Sequence, residues 1–326
     1  MSEPAPELRD VLDAQRVIAP YLDPTPARRY PALDGLLRSE LFVKHENHLP
    51  TGAFKVRGGI NLVARLDSEQ MAAGVYAAST GNHGQSVAYA ASLFGVAATI
   101  FVPHGANPVK VSSMRSLGAT VVEHGVDFDE ARERCAEVAV AHGARYIHSG
   151  DEPLLIAGVG TATLELLERD PSIDVIVVPV GGGSGAAGAC IVAKAIDPRI
   201  EVIGVQAEAA PAAYRAWRER RPVADEMRTF AEGLQTRVSF ELPQRILADH
   251  LDDFVLVGDD ELRAATLKLI ELTRNLVEPA GAASLAAALK LRERLAGQRV
   301  ALVCSGGNIS PAQLRELLEW GSRSAT

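Results

Sequence analysis

Short apolar runs rich in β-branched residues alternate along the chain with longer stretches in which Ala and Leu recur at helical spacing. Leu41–His45, Val75–Ser79, Thr99–Val102, Thr120–Glu123, Tyr146–His148, Asp174–Val180, Glu201–Gln206, Phe254–Val257 and Arg299–Cys304 predict strands. Glu130–His142, Thr161–Arg169, Ala186–Ile196, Leu262–Arg274 and Leu285–Leu295 predict helices between them. Such alternation implies parallel sheets, because parallel neighbours need a crossover where antiparallel ones need only a tight turn. A closed eight-fold barrel shares the alternation. The turns after the strands differ in glycine content and character, which favours open twisted sheets.

Composition narrows the function classes. A chain of 326 residues suggests two domains at about 150 residues each. With 47% apolar and 23% charged residues it can bury a substantial core. Its 33 basic and 41 acidic side chains give a net charge of −8, and the run Arg215–Arg221 is balanced by Glu219, Asp225 and Glu226. No basic stripe for nucleic acid stands out. Neither a membrane span nor a signal-peptide core is visible, the start carrying Glu3, Glu7 and Asp10. Cys135, Cys190 and Cys304 are odd in number and far apart, so buried free thiols are expected, not a disulfide framework or zinc site. A soluble cytoplasmic globular protein without a nucleic-acid or membrane partner is the expectation.

Four glycine-rich turns concentrate the chemistry: Pro50–Gly59, Ser79–Ser86, Gly181–Gly188 and Ser305–Asn308. In open α/β sheets the loops at the carboxyl ends of strands converge on the ligand crevice. Gly181–Gly188 stands between a strand and a helix, where backbone N–H groups and the positive helix end favour a phosphate. Within it Gly183-Ser-Gly185-Ala-Ala-Gly188 also fits a dinucleotide fingerprint, with Glu208 as the ribose acid, so an NAD-dependent oxidoreductase is one reading. In the first turn Thr51 is placed to cap a helix opening near Ala53. Lys55 then sits at the positive end of that helix, which favours the neutral amine needed for imine formation.

The segment His45–Gly59 (HENHLPTGAFKVRGG) resembles the lysine segment of the threonine/serine dehydratases and serine racemases. Ser79–Gln85 (STGNHGQ) resembles their asparagine loop, Gly181–Gly185 (GGGSG) their phosphate loop and Ser305–Asn308 (SGGN) their last motif. The four occur in the family's order over roughly residues 8–320, which overrides the dinucleotide reading. The resemblance implies an α/β fold of two open twisted parallel-sheet domains, tryptophan synthase β-like (PLP fold type II). The large PLP-binding domain would comprise 1–50 and 151–326, and the small domain 51–150. It implies pyridoxal 5'-phosphate as cofactor, with Lys55 bonded to its aldehyde and Phe54 against its ring. Asn82 would meet the ring hydroxyl, Gly181, Gly182, Gly183 and Ser184 would offer amides to the phosphate, and Gly185 would open the helix. Ser305 would face the pyridine nitrogen, and Glu278 resembles the family glutamate near the cofactor. Ser79, Thr80, Asn82 and His83 would surround the substrate carboxylate. The activity implied is dehydration and deamination of a small β-hydroxy amino acid, such as L-threonine or L-serine, by a homodimer or homotetramer.

Several positions depart from the pattern. Thr80 stands where dedicated dehydratases tend to have Ala and racemases Ser. It is read here chiefly as a donor of the carboxylate loop, with a second-face acid for racemisation as the alternative. Gln206 and Ala212 fall where racemases carry metal-binding carboxylates, so no required metal is expected. Arg132 matches a racemase position near the substrate, where it would meet a second carboxylate, but Asp129–Arg134 also reads as a plain charged helix face. The family alternatives are therefore a serine racemase, a 3-hydroxyaspartate dehydratase or a hydroxyectoine-catabolism dehydratase. Larger biosynthetic dehydratases append regulatory domains for isoleucine control, and with none read in these 326 residues a catalytic unit not regulated by that route is the expectation.

Overall fold

In a computed structural model describing residues 4–324, two open sheets lie side by side. The strands among the described residues are β1 (Ala27–Arg29), β2 (Glu40–His45), β3 (Val75–Ala78), β4 (Ala98–Val102), β5 (Thr120–Glu123), β6 (Arg145–Tyr146), β7 (Val175–Pro179), β8 (Glu201–Ala207), β9 (Asp253–Val257) and β10 (Arg299–Cys304). The larger sheet has the order β1-β2-β10-β7-β8-β9 and the smaller β5-β4-β3-β6. Every pairing is parallel except β1 with β2. The crossovers are helical, as parallel pairing requires. In chain order the helices are α1 (Leu8–Ile18), α2 (Pro31–Leu37), α3 (Lys55–Val63), α4 (Ser68–Ala73), α5 (Asn82–Phe94), α6 (Pro108–Ser116), α7 (Phe128–Ala141), α8 (Pro153–Arg169), α9 (Ser184–Ile196), α10 (Ala212–Glu219), α11 (Glu241–His250), α12 (Asp259–Thr273), α13 (Pro279–Lys290) and α14 (Pro311–Ser324). Two open sheets exclude the closed barrel.

Strand β7 shows why its sequence reads as one apolar run. Ile176 and Val178 face a core shared with α8 and α9, while Val175 and Val177 face the layer that holds α12 and α13. Both faces are buried, so alternation disappears. The first of these cores does not stop at the larger sheet. It runs from Val178 and Cys190 through Ile156 and Ile60 to Val87 and Ile100 of the smaller one. Helix α3, between α5 and α8, carries that continuity.

Some elements differ from their predicted form. Strand β1 is absent from the prediction because Ala27–Arg29 is short, polar and at an edge. The Tyr146–His148 run pairs only at Arg145–Tyr146. The helix placed at Leu285–Leu295 begins six residues earlier, where Pro279 occupies its first turn, and ends at Lys290. Similarly, α8 starts at Pro153 and not at Thr161. Thr51 does not cap a helix near Ala53: α3 opens at Lys55, and the Thr51 hydroxyl points to the Ala53 carbonyl at 3.4 Å.

Candidate active site

The carboxyl ends of β3, β7 and β10 open onto one cavity of about 400 Å³ between the sheets. Lys55 lies in its floor as the first residue of α3. What holds this turn is backbone pairing with the last glycine motif. The Phe54 N–H donates to the Ser305 carbonyl at 3.0 Å, and the Gly307 N–H donates to the Gly52 carbonyl at 2.9 Å. Asn308 adds a side-chain bond to the Thr51 carbonyl at 2.8 Å. Gly52 needs its positive φ of 68° here, and a Cβ on it would press on the Asn308 amide at 2.7 Å.

Lys55 Nζ donates to the Ser149 carbonyl and to the Ser184 hydroxyl, each at 2.8 Å. Both partners are neutral. Burial without a counter-charge lowers the amine to a pKa of about 8. Two donated bonds are what a neutral amine can make. The proposed imine-forming group is thus chemically poised.

The glycine cradle follows β7. Gly183 takes φ 93°, and a Cβ there would lie 2.9 Å from Pro243. A Cβ on Gly182 would collide with the Phe240 ring, and one on Gly185 would lie 3.1 Å from Phe54. No described residue accepts from the N–H groups of Gly182, Gly183 or Ser184. Free amides at a helix start, side by side with a poised lysine, fit the phosphate and aldehyde of a pyridoxal cofactor. Ser305, buried at the end of β10, lines the same cavity and offers a neutral hydroxyl.

Across the cavity, β3 hands over to α5 through Ser79–Gly81. Ser79 Oγ accepts from the Gly81 N–H at 3.1 Å, and Thr80 lines the cavity beside it. Asn82 Nδ2 donates to Glu278 Oε1 at 2.7 Å, while its Oδ1 accepts from Asn308 Nδ2 at 2.8 Å. The amide is therefore held at both ends with one N–H to spare. Burial raises the Glu278 carboxyl, against the opposing pull of Lys110 and Asn82. His83 Nε2 meets the Ile147 carbonyl at 3.2 Å, and its Nδ1 has no partner among the described residues. Burial, helped by the Lys55 charge, lowers this imidazole to about 3, so it is neutral.

Every residue that the family resemblance assigns to cofactor or substrate lines this cavity, while Glu208, the ribose acid of the dinucleotide reading, does not. Arg132 lines it as well, with Asp129 at 3.3 Å, so its face of α7 is not plain solvent-exposed surface. Sequence reasoning missed Ser149, Lys110, Glu232 and Phe240, which reach the site from separate parts of the chain without a motif, Lys110 from α6 and the others from connections. It also passed over Asn308, although that residue was inside a recognised turn. Gln206 is fully buried, accepting from the Tyr214 N–H at 2.9 Å. Among the described residues no cluster of three or more His, Cys, Asp or Glu could hold a metal ion.

Residues 18–306 match the family model described as pyridoxal-phosphate dependent enzyme. The chain belongs to that family. This withdraws the NAD reading that the Gly183–Gly188 spacing allowed on its own. The enzyme is 37% identical over 315 residues to an L-threonine ammonia-lyase of Thermotoga maritima, covering 96% of this chain and 78% of that one. It is 34% identical over 314 residues to an L-threo-3-hydroxyaspartate ammonia-lyase of Saccharomyces cerevisiae, covering 96% of each. The solved serine racemase of Dictyostelium discoideum superposes with a TM-score of 0.88 at 33% identity, over 94% of this chain and 99% of that one. The chain spans 58% of the length of the biosynthetic L-threonine dehydratase of Pasteurella multocida, to which it is 37% identical.

Proposed function

We propose that this enzyme removes water and then ammonia from a small β-hydroxy amino acid, L-threonine or L-serine, to leave a 2-oxo acid. The observation that carries the reading is the Lys55 amine, 2.8 Å from Ser184 at the glycine cradle and lowered to about 8. Pyridoxal phosphate, when bound, supplies the electron sink that lets a proton leave the substrate Cα. Lys55 Nζ is the base placed to take that proton. Gly181, Gly182, Gly183 and Ser184 would hold the phosphate by their N–H groups, with Phe54 packed beneath Gly185. Ser305 would offer the ring nitrogen a neutral hydroxyl, which would favour expulsion of a β-hydroxyl over storage of negative charge. Ser79, Thr80, Asn82, His83 and the first N–H groups of α5 form the carboxylate site. Glu278 and Asn308 fix the Asn82 amide that meets the ring hydroxyl.

The working parts are a small unit of residues 51–150 and a large unit of 1–50 with 151–326. No described helix is long and apolar enough to cross a membrane. A cytoplasmic place and a homodimeric or homotetrameric state are proposed from the family reading alone. A second reading, 3-hydroxyaspartate as substrate, is favoured by Arg132 in the cavity, though Asp129 already offsets its charge.

The test is 2-oxo acid release by the reconstituted enzyme from L-threonine, L-serine and both 3-hydroxyaspartate diastereomers, with D-serine formation followed in parallel. Release from threonine or serine, lost in Lys55→Ala, is the expected result. Release from hydroxyaspartate alone would move the assignment to the second reading, and D-serine without 2-oxo acid would make the enzyme a racemase.

A further inference from the structure

A second lysine lines the cavity. Lys110 belongs to α6 on the smaller sheet, and its side chain is 7% exposed. Its ammonium pairs with Glu232, which lies in the loop before α11 on the larger sheet. The other oxygen of Glu232 accepts from Gln313 Nε2 at 2.8 Å, so the carboxylate is fixed from behind. Glu232 is the one hydrogen-bond acceptor reaching Lys110 Nζ among the described residues. An ammonium has three donors, so two N–H bonds remain for another acceptor.

Those bonds lie beside the Ser79–Asn82 turn. Nζ is 3.6 Å from the point where a Cβ on Gly81 would sit, and nothing else comes within 4 Å of that point except the Lys110 side chain itself. The cavity's arginines are engaged elsewhere: Arg132 has Asp129 at 3.3 Å, and Arg237 has Asp129 at 3.6 Å and Asp127 at 3.9 Å. Ser79, Thr80, Asn82 and neutral His83 bring no net positive charge to a carboxylate.

We propose that Lys110 is a positioning residue for the substrate carboxylate, supplying from behind the Gly81 turn the positive charge that the turn lacks, with Glu232 as its counter-ion when substrate is absent. The inference rests on the reading that the Ser79–His83 turn receives the α-carboxylate. An arriving carboxylate shares the ammonium with Glu232, so binding draws on residues from both sheets. Burial keeps water from screening the charge.

Spectral titration of the pyridoxal-phosphate holoenzyme with glycine and with glycinamide tests this, since neither has a β-leaving group and only glycine has a carboxylate. In Lys110→Met the dissociation constant for glycine should rise about tenfold or more while that for glycinamide moves less than about twofold, and Lys110→Arg should recover most of the loss. KM for threonine should rise more than kcat falls. Glu232→Gln should bind glycine as tightly as the parent or more so. Equal losses for glycine and glycinamide would overturn the proposal, as would weakening of glycine by Glu232→Gln as large as that by Lys110→Met, which would make the pair a plain clamp. If the parent holoenzyme gives no spectral response to glycine, the proposed function itself fails. A normal parent response with an unaffected Lys110→Met variant sinks only the role of Lys110.

Discussion

Lys55 and Arg57 are two residues apart on the first turn of α3, the one half-buried at the cavity wall and the other fully buried, and they are treated in opposite ways. Arg57 is fully buried within a ring of carboxylates: Nε reaches Glu46 at 2.6 Å, and the two terminal nitrogens reach Glu165 at 2.6 and 2.8 Å. Lys44 completes the cluster with a 2.5 Å bond to Glu165. Burial alone would lower the guanidinium, but Glu46 and Glu165 more than offset it and raise its affinity for the proton. Lys55 receives only a carbonyl and a hydroxyl, and its amine falls to about 8. Charged anchors hold the helix, while neutral partners leave its first residue reactive. The contrast shows that burial does not by itself decide protonation; the charge of the partners does.

The largest effect expected is on turnover. Lys55→Ala should lower 2-oxo acid release by roughly a thousandfold or more, since the substitution removes both the proposed cofactor bond and the proposed base. Borohydride reduction of the holoenzyme should attach the cofactor to Lys55, and a peptide map that finds it on another lysine would break the contrast at its centre.

Next comes Arg57→Met, which leaves Lys44 as the one cation beside the two carboxylates, 2.5 Å from Glu165 but 4.0 Å from the buried Glu46. A loss of about 3–5 kcal/mol in urea unfolding is expected. A loss below about 1 kcal/mol would mean that the cluster is not an anchor.

Removing the other cation should have the reverse sign. Without cofactor, Lys55→Met should be more stable than the parent at pH 7 by about 1–3 kcal/mol, because the ammonium is poorly compensated in the fold. The folded pKa of about 8 lies below the usual lysine value of 10.5. Between those two values the unfolded chain holds the extra proton, so the parent gains stability as pH rises through that window. The advantage of Lys55→Met is therefore full below pH 8 and fades towards pH 10.5. A pH-independent difference would show that the amine is not charged and strained in the fold.

The smallest effect concerns orientation. Asn308→Ala removes the donor to both Asn82 Oδ1 and the Thr51 carbonyl, and should weaken pyridoxal phosphate binding by about tenfold, the worth of the one bond that orients the Asn82 amide. Fluorescence titration of the apoenzyme measures it, and an unchanged affinity would mean that Glu278 alone holds the amide.

Much of this could be read before any coordinates. The alternation of elements pointed to parallel sheets, and four ordered glycine turns located the site because backbone approach demands glycine at positions such as Gly183 and Gly52. The edge strand β1 and the start of α13 escaped because edge pairing and an Ala-rich first turn leave little periodicity. Thr51 was misread because a hydroxyl near a helix start can donate to a carbonyl as easily as it can cap.

What the amino-acid order determined alone was the set of chemical groups and the turns that carry them: the lysine, the asparagine, the cradle and the neutral serine. Those are local, since glycine permits each turn's backbone from its own few residues, even where, as at Gly52, a distant turn then holds it. Tertiary structure decided which charge stands next to which. The Glu46 and Glu165 carboxylates around Arg57, the neutral oxygens around Lys55 and the pairing of Lys110 with Glu232 join residues up to 129 positions apart. Electrostatic state depends on distance in space and exclusion of water, and neither is written into spacing along the chain.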